Sequence, residues 1–458
     1  MNKRLGSFFS IAILMFLFVV SAKAETFIAY LNGAQEVPAV ATAATGYARV
    51  NINAATNTLT FTVVFNNLGS AQTLSHIHAP AAIGATASVA IDFGTVGGTS
   101  GTISGSRSIT NTQIAQIRAH QGYVNVHSVN FGAGEIRGQL GINRPVDFDG
   151  DGRTDHSVLR FPNAPPPAVA QINYHNLGST GGYTVTPWGD ANTDFPVPGD
   201  YDGDGRDDHA IYRDGANPGD PSEFWILNSS NGIPQKLTFG VSGDQAISRD
   251  YDGDGRTDMT VYRRGFLPTD QAVWYIHQSS TNTVRIQGFG SSGDSAGDFG
   301  DTPVPGDYDG DGKFDLAVYR FNFVSPDPAT DNRYIVLRSS DSVIQYQAFG
   351  NFSTDYVAPG DYDGDGKTDF NAIRTGAGSA PVDWWIILSS NGTVRVTRWG
   401  ISTDRLVQGD YDGDGRTDLA VYRPATSTFW VLGSFAGDSR ILKWGNAGDF
   451  PTATFDAR

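Results

Sequence analysis

Apolar and polar residues alternate with a period of two through most of this chain, and the style of alternation changes about a third of the way along. Up to residue 143 the runs are YARVNIN, TLTFTVVFNNL, ASVAIDF, GYVNVHSV and GEIRGQL. Such runs suit strands with one face in a core and the other in water. Residues 25–143 are therefore expected to form an antiparallel β-sandwich. Beyond them, strands of distinct kinds recur in fixed order. A β-branched run (HAIYR, MTVYR, LAVYR) is followed by an aromatic run (EFWILNSS at 223, AVWYIHQSS at 272, DWWIILSS at 383, TFWVLGS at 428). A third run ends in aromatic-Gly, at Trp188-Gly189, Phe239-Gly240, Phe289-Gly290, Phe349-Gly350, Trp399-Gly400 and Trp444-Gly445, and a fourth, such as PVPGDYD, leads into the next unit. The aromatic residues are expected to pack between units rather than to stack on a ligand.

The units are spaced by a phrase that occurs six times, starting at 147, 200, 250, 307, 361 and 410, so that successive starts lie 53, 50, 57, 54 and 49 residues apart. A period near fifty is the size of one four-stranded propeller blade. The fold class is thus all-β, with residues 144–458 forming a β-propeller. Six blades are favoured and seven stay possible, with the tail FPTATFD reading as one more first strand that closes the ring.

In each phrase, as in DYDGDGRTD, Asp stands at positions 1, 3, 5 and 9 and Gly at 4 and 6. Four carboxylates so close repel unless a cation neutralises them, and Ca²⁺ takes six to eight oxygen ligands. The predicted calcium ligands are Asp147, Asp149, Asp151 and Asp155; Asp200, Asp202, Asp204 and Asp208; Asp250, Asp252, Asp254 and Asp258; Asp307, Asp309, Asp311 and Asp315; Asp361, Asp363, Asp365 and Asp369; and Asp410, Asp412, Asp414 and Asp418. The carbonyl at position 7, as at Arg416, is a further candidate. An EF-hand is excluded, because position 12 of the last copy is Val421 and a strand, LAVYRP, follows. About six Ca²⁺ would add +12 to a formal net charge of -16, leaving -4. With no cysteine available for disulfides, the ions would also staple the loops.

An Arg ends the β-branched strand in every unit (Arg160, Arg213, Arg263, Arg320, Arg374, Arg423), and a lone Asp follows each aromatic-Gly (Asp194, Asp244, Asp294, Asp355, Asp404, Asp449). These are expected to pair within or between blades. The repeats, on their D-x-D-G-D-G-x-x-D loops, resemble the FG-GAP/VCBS repeats of integrin α-chain propellers and of some propeller lectins. The resemblance implies a calcium-stiffened propeller used in adhesion or glycan recognition.

The first domain resembles the chordin-type CHRD domain in LNGAQEVP at 31, ATGYARV at 44, SHIHAP at 75, YVNVHS at 123 and GEIRGQL at 134; Ala79 departs from the Gly common after HIH. His76 and His78 are one residue apart and share a strand face. With His127 they either hydrogen-bond neighbouring strands or supply imidazoles to a transition metal, Zn²⁺ or Cu²⁺.

Residues 1–24 carry Lys3 and Arg4, an apolar run from Phe8 to Val20 and Ala22-Lys23-Ala24, which reads as a signal peptide. The run is short for a membrane anchor, so the chain is expected to be exported without a membrane span in its mature part, to be secreted, surface-bound or periplasmic. The acidic balance argues against nucleic acid as a partner. There is no G-x-S-x-G, and Glu occurs only at positions 25, 36, 135 and 223. The chain is accordingly expected to be a binding protein with a glycan or protein ligand, not an enzyme. A calcium-dependent polysaccharide lyase or hydrolase is the alternative, and transition-metal binding by the first domain a second. Ligand contacts are expected on the insertions FPNAPPPAVA at 161, DGANPGDPSE at 214 and FNFVSPDPATD at 321.

Overall fold

The computed structural model describes residues 25–456 except 34, 55, 82–84, 119–120, 141–145, 151–152, 162–169, 180–181, 205, 254–255, 268–269, 293–299, 322–331, 351–354, 414–415 and 435–436. The candidate signal peptide, the predicted ligands Asp151, Asp254 and Asp414, and most of the insertions at 161 and 321 lie outside the described residues.

The first domain is one antiparallel sheet of eight strands, β1 (Glu25–Asn32), β2 (Thr45–Asn53), β3 (Thr58–Asn66), β4 (Gln72–His78), β5 (Val89–Asp92), β6 (Gly101–Ser108), β7 (Tyr123–Ser128) and β8 (Ile136–Gln139), in the order β5-β4-β7-β8-β1-β2-β3-β6. The predicted alternation places Phe27, Leu31, Val50, Ile52, Phe61, Val63, Phe65, Val124 and Val126 in a single core. The sheet curls until its two edges nearly meet. There Arg107 of β6 donates to the carbonyls of Asp92 (2.7 Å) and Phe93 (3.1 Å) at the end of β5. Helix α1 (Asn111–Arg118) starts at a Thr110/Gln113 capping box and buries Ile114 and Ile117 against the core.

The second domain is a ring of six four-stranded sheets. In the second blade the strands are Asp194–Pro196, His209–Arg213, Pro221–Leu227 and Pro234–Val241, each paired antiparallel with the next. The β-branched strand is the most buried and the aromatic-Gly strand the exposed edge. Phe450–Pro451 pairs with His156–Arg160, so the tail supplies the missing first strand of the first blade and the ring closes at six blades. Aromatics lie between blades as expected: Trp188, Trp399 and Trp444 donate their indole N–H to backbone carbonyls of Trp225, Trp430 and His175 in the neighbouring blade. Among the described residues no helix is long and apolar enough to cross a membrane.

The Arg/Asp pairs form in every blade, and all are bidentate. They join the first and second strands of one sheet, for example Arg213 to Asp194 at 2.7 and 2.8 Å and Arg263 to Asp244 at 2.7 and 2.8 Å. The partner of Arg320 is Asp301, at 2.7 Å for both bonds, and not the expected Asp294, which lies outside the described residues. Spacing from the aromatic-Gly misled here because this blade carries a longer connection before its first strand.

The two domains touch. Tyr47 of β2 packs against Gly312, where any side chain would collide with the tyrosine ring. Arg49 donates to the carbonyl of Gly310 (3.2 Å) and to that of Asp365. The first domain therefore rests on the acidic loops of the fourth and fifth blades.

Candidate functional site

Each acidic loop leads into the second strand of its blade, and in blades two to six it connects that strand to the first. Wrapping nine residues into so tight a turn needs left-handed backbone, and the position-4 glycine supplies it at Gly310 (φ 79°) and Gly364 (φ 77°). Carboxylate oxygens converge inside the turn. Asp147, Asp149 and Asp155, then Asp200, Asp202 and Asp208, then Asp250, Asp252 and Asp258, and also Asp307, Asp309 and Asp311, each bring one oxygen to within 4.8 Å of the others.

The position-1 carboxylate accepts backbone N–H groups of the turn itself, such as Gly310 N (2.6 Å) and Gly312 N (2.9 Å) onto Asp307. The position-9 carboxylate faces two ways: Asp315 accepts from Tyr308 N (2.9 Å) and from Ser339 N (2.6 Å). Burial, aggravated by the neighbouring carboxylates, pushes Asp307 and Asp418 up to about 8 and Asp208 and Asp369 up to about 7. A cation within the turn would remove that cost, and carboxylate oxygens are the hard donors that Ca²⁺ takes.

Two features of these loops escaped the sequence reading. The Ser-Ser pairs ending the aromatic runs belong to a turn that closes over the loop, not to the strand. Ser229, Ser279, Ser339 and Ser389, the first of each pair, and the single Ser434 in the last blade each donate a backbone N–H to the position-9 Asp, at 2.6–2.7 Å. The repeated NSS, QSS, RSS and LSS was the available signal.

The loops are also linked in series. The N–H at position 8 of one loop donates to the position-1 carbonyl of the loop before it: Asp207 to Asp147 (2.8 Å), Thr257 to Asp200 (2.6 Å), Phe314 to Asp250 (2.9 Å), Thr368 to Asp307 (2.7 Å), Thr417 to Asp361 (2.7 Å) and Thr154 to Asp410 (2.8 Å). The last bond returns to the first blade, so six acidic loops form a closed circle on one face of the ring.

The opposite face carries the 214–220 connection and the Arg/Asp pairs. In the strand that begins or follows each pair's Asp, the next side chain turns the other way: Phe195, Gln245, Thr302, Tyr356, Arg405 and Phe450 occupy one register position in the six blades. Phe195 and Tyr356 are more than half exposed, and Arg405 lies over the Phe450 ring at 3.8 Å.

In the first domain, β4 and β7 bring His76, His78 and His127 together with one nitrogen of each inside 4.8 Å. Ile77, Val124 and Val126 point into the core, which turns all three imidazoles to the outer face of the sheet. His76 and His127 are buried there all the same, and His78 half-buried. His78 Nδ1 faces the Ala87 carbonyl at 2.9 Å, His127 Nδ1 the Gly132 carbonyl at 3.0 Å, and His76 Nε2 the Asp92 carboxylate at 3.7 Å. Burial is the first cause holding all three below the usual histidine range, so they are neutral near pH 7.

Residues 27–140 match the family model described as the CHRD domain, and the match does not reach the repeats. No curated protein matches the chain. Among solved structures, cobalt-substituted apocarotenoid oxygenase of Synechocystis is similar over 73% of this chain and 87% of its own, at 11% identity and a TM-score of 0.35. Two variants of that oxygenase give the same coverage and identity at a TM-score of 0.34. The expectation that the chain is not an enzyme is corrected here. The similar solved structures are those of an oxygenase, and the exclusion rested on absent nucleophiles and carboxylate pairs, which does not bear on metal-assisted chemistry. A likeness this distant carries no activity over to this chain.

Proposed function

We propose that this is an exported, calcium-binding recognition protein whose propeller takes a glycan or protein ligand on the face opposite its acidic loops. The observation that carries the reading is the circle of six loops, in which converging carboxylates and blade-to-blade hydrogen bonds coincide. An ion in each loop would hold its own blade and fix the carbonyl that the next blade uses. In a chain without cysteine this is how a ligand-binding face could be kept rigid outside the cell.

The opposite face offers exposed Phe195 and Tyr356, the Arg405/Phe450 pair and the 214–223 insertion. Flat aromatic faces flanked by hydrogen-bonding groups suit sugar rings. The test is a glycan array probed with the full mature chain, with calcium and after EGTA. Calcium-dependent binding that Phe195→Ala with Tyr356→Ala removes supports the reading. Binding that ignores both substitutions refutes the assignment of this face. Turnover of a bound polysaccharide would establish the lyase or hydrolase alternative.

A further inference from the structure

The three imidazoles of the first domain are set up as ligands in a way that hydrogen bonding between strands does not explain. His78 and His127 each face a backbone carbonyl through Nδ1, and a carbonyl only accepts, so each Nδ1 carries the proton. Their Nε2 atoms are therefore bare lone pairs. His78 Nε2 is buried with no hydrogen-bond partner. His127 Nε2 lies 3.3 Å from His76 Nδ1. Were His76 protonated at Nδ1, it could donate to His127, but His78 would remain unserved. With the His76 proton on Nε2, towards Asp92, three lone pairs converge and repel unless a cation sits among them.

The spacing fits such an ion. Zinc–imidazole bonds of about 2.0–2.1 Å at tetrahedral angles put ligand nitrogens about 3.3 Å apart, which is the separation of His76 Nδ1 and His127 Nε2. The outer contacts have the character of a metal site too. A ligating histidine commonly donates its other N–H to a carbonyl or carboxylate that fixes ring and tautomer; here the Ala87 and Gly132 carbonyls take those places for His78 and His127, and the Asp92 carboxylate faces His76 Nε2 at 3.7 Å. Asp92 is held in turn by the Gly94 N–H at 3.0 Å, and the Tyr123 ring stacks on His78 with centroids 4.8 Å apart.

We infer that His76 Nδ1, His78 Nε2 and His127 Nε2 bind one borderline divalent ion, Zn²⁺ or Cu²⁺, with Asp92 as a positioning residue. All three ligands are neutral, so the ion keeps its full charge, and three protein ligands leave a fourth position for water or a substrate atom. The site shares no residue with the acidic loops and stands or falls independently of their calcium.

The experiment uses the full mature chain in excess Ca²⁺, so that the hard oxygen sites are satisfied, and titrates it with Co²⁺ and with Zn²⁺. One equivalent should bind, with the visible bands of a cobalt–imidazole centre. His78→Gln should abolish those bands, while His277→Gln in the third blade leaves them intact. Asp92→Asn should keep one equivalent but weaken it about 10–100-fold. X-ray absorption on the zinc-loaded unmodified chain needs no variant and should show three imidazole nitrogens at about 2.0–2.1 Å. An oxygen-only zinc shell, an unaltered cobalt spectrum in the His78→Gln chain, or no binding beyond calcium would overturn the inference.

Discussion

Replacing Arg160 by alanine removes half of the ion pair that ties the end of the chain to the first blade. The Asp449 carboxylate accepts from Arg160 Nε (2.9 Å) and Nη2 (2.8 Å) and from the Asn446 backbone (2.8 Å), and its side chain is only 3% exposed. Breaking a buried pair by deleting one partner costs about 3–5 kcal/mol, because the other charge stays buried. Arg160 is itself 35% exposed, so solvent already screens part of the attraction. We therefore expect a loss of about 2–3 kcal/mol in urea unfolding with calcium present. Arg213→Ala is the control: its pair with Asp194 has the same geometry and also joins the first two strands of a blade, but the partners are 19 residues apart rather than 289. Only the Arg160 variant should loosen the closing strand. Hydrogen exchange should therefore rise at Thr452, whose N–H donates to the Ser157 carbonyl at 2.9 Å, and stay unchanged there in Arg213→Ala. Equal exchange in the two variants, or a loss below about 1 kcal/mol, a magnitude ordinary for any substitution, would refute the closure argument.

Arg49→Ala should separate the two domains without unfolding either. Solution scattering should then show a broader distance distribution, with both melting transitions kept. Glu36, buried beside Arg137 and Asn125, is raised to about 7 chiefly by burial, so its folded form holds a proton that the unfolded chain has released. That contribution is full below the unfolded value near 4.5 and is lost as pH rises through about 7. Glu36→Gln should thus flatten the stability profile between pH 5 and 8 and gain up to about 3 kcal/mol at the alkaline end, read by denaturant titration of both chains.

Strand type, blade period and ring closure were legible because each depends on local alternation or on a phrase repeated in register. The loop carboxylates were legible for the same reason, and so was the shared face of His76 and His78. Asp301 was missed because an insertion broke the spacing on which the Asp294 assignment relied. The Ser-Ser turns were read as strand ends, since a polar pair after an aromatic run looks the same in either role. The series of loop-to-loop bonds and the Tyr47/Arg49 docking could not be read at all. They depend on how one blade, or one domain, is set against another, and backbone carbonyls leave no mark in residue type. Asp92 was hidden likewise: it meets His76 only because β5 pairs with β4, His76 opposite Asp92.

The central claim is that calcium holds the propeller through its acidic loops. Elemental analysis of the full mature chain, joined to thermal melting before and after EGTA, tests it most directly. The account predicts about six Ca²⁺ per chain and a large drop in the propeller's melting temperature once they are removed, with the first domain's transition little changed. A chain that carries little calcium and melts at the same temperature with and without EGTA would contradict it.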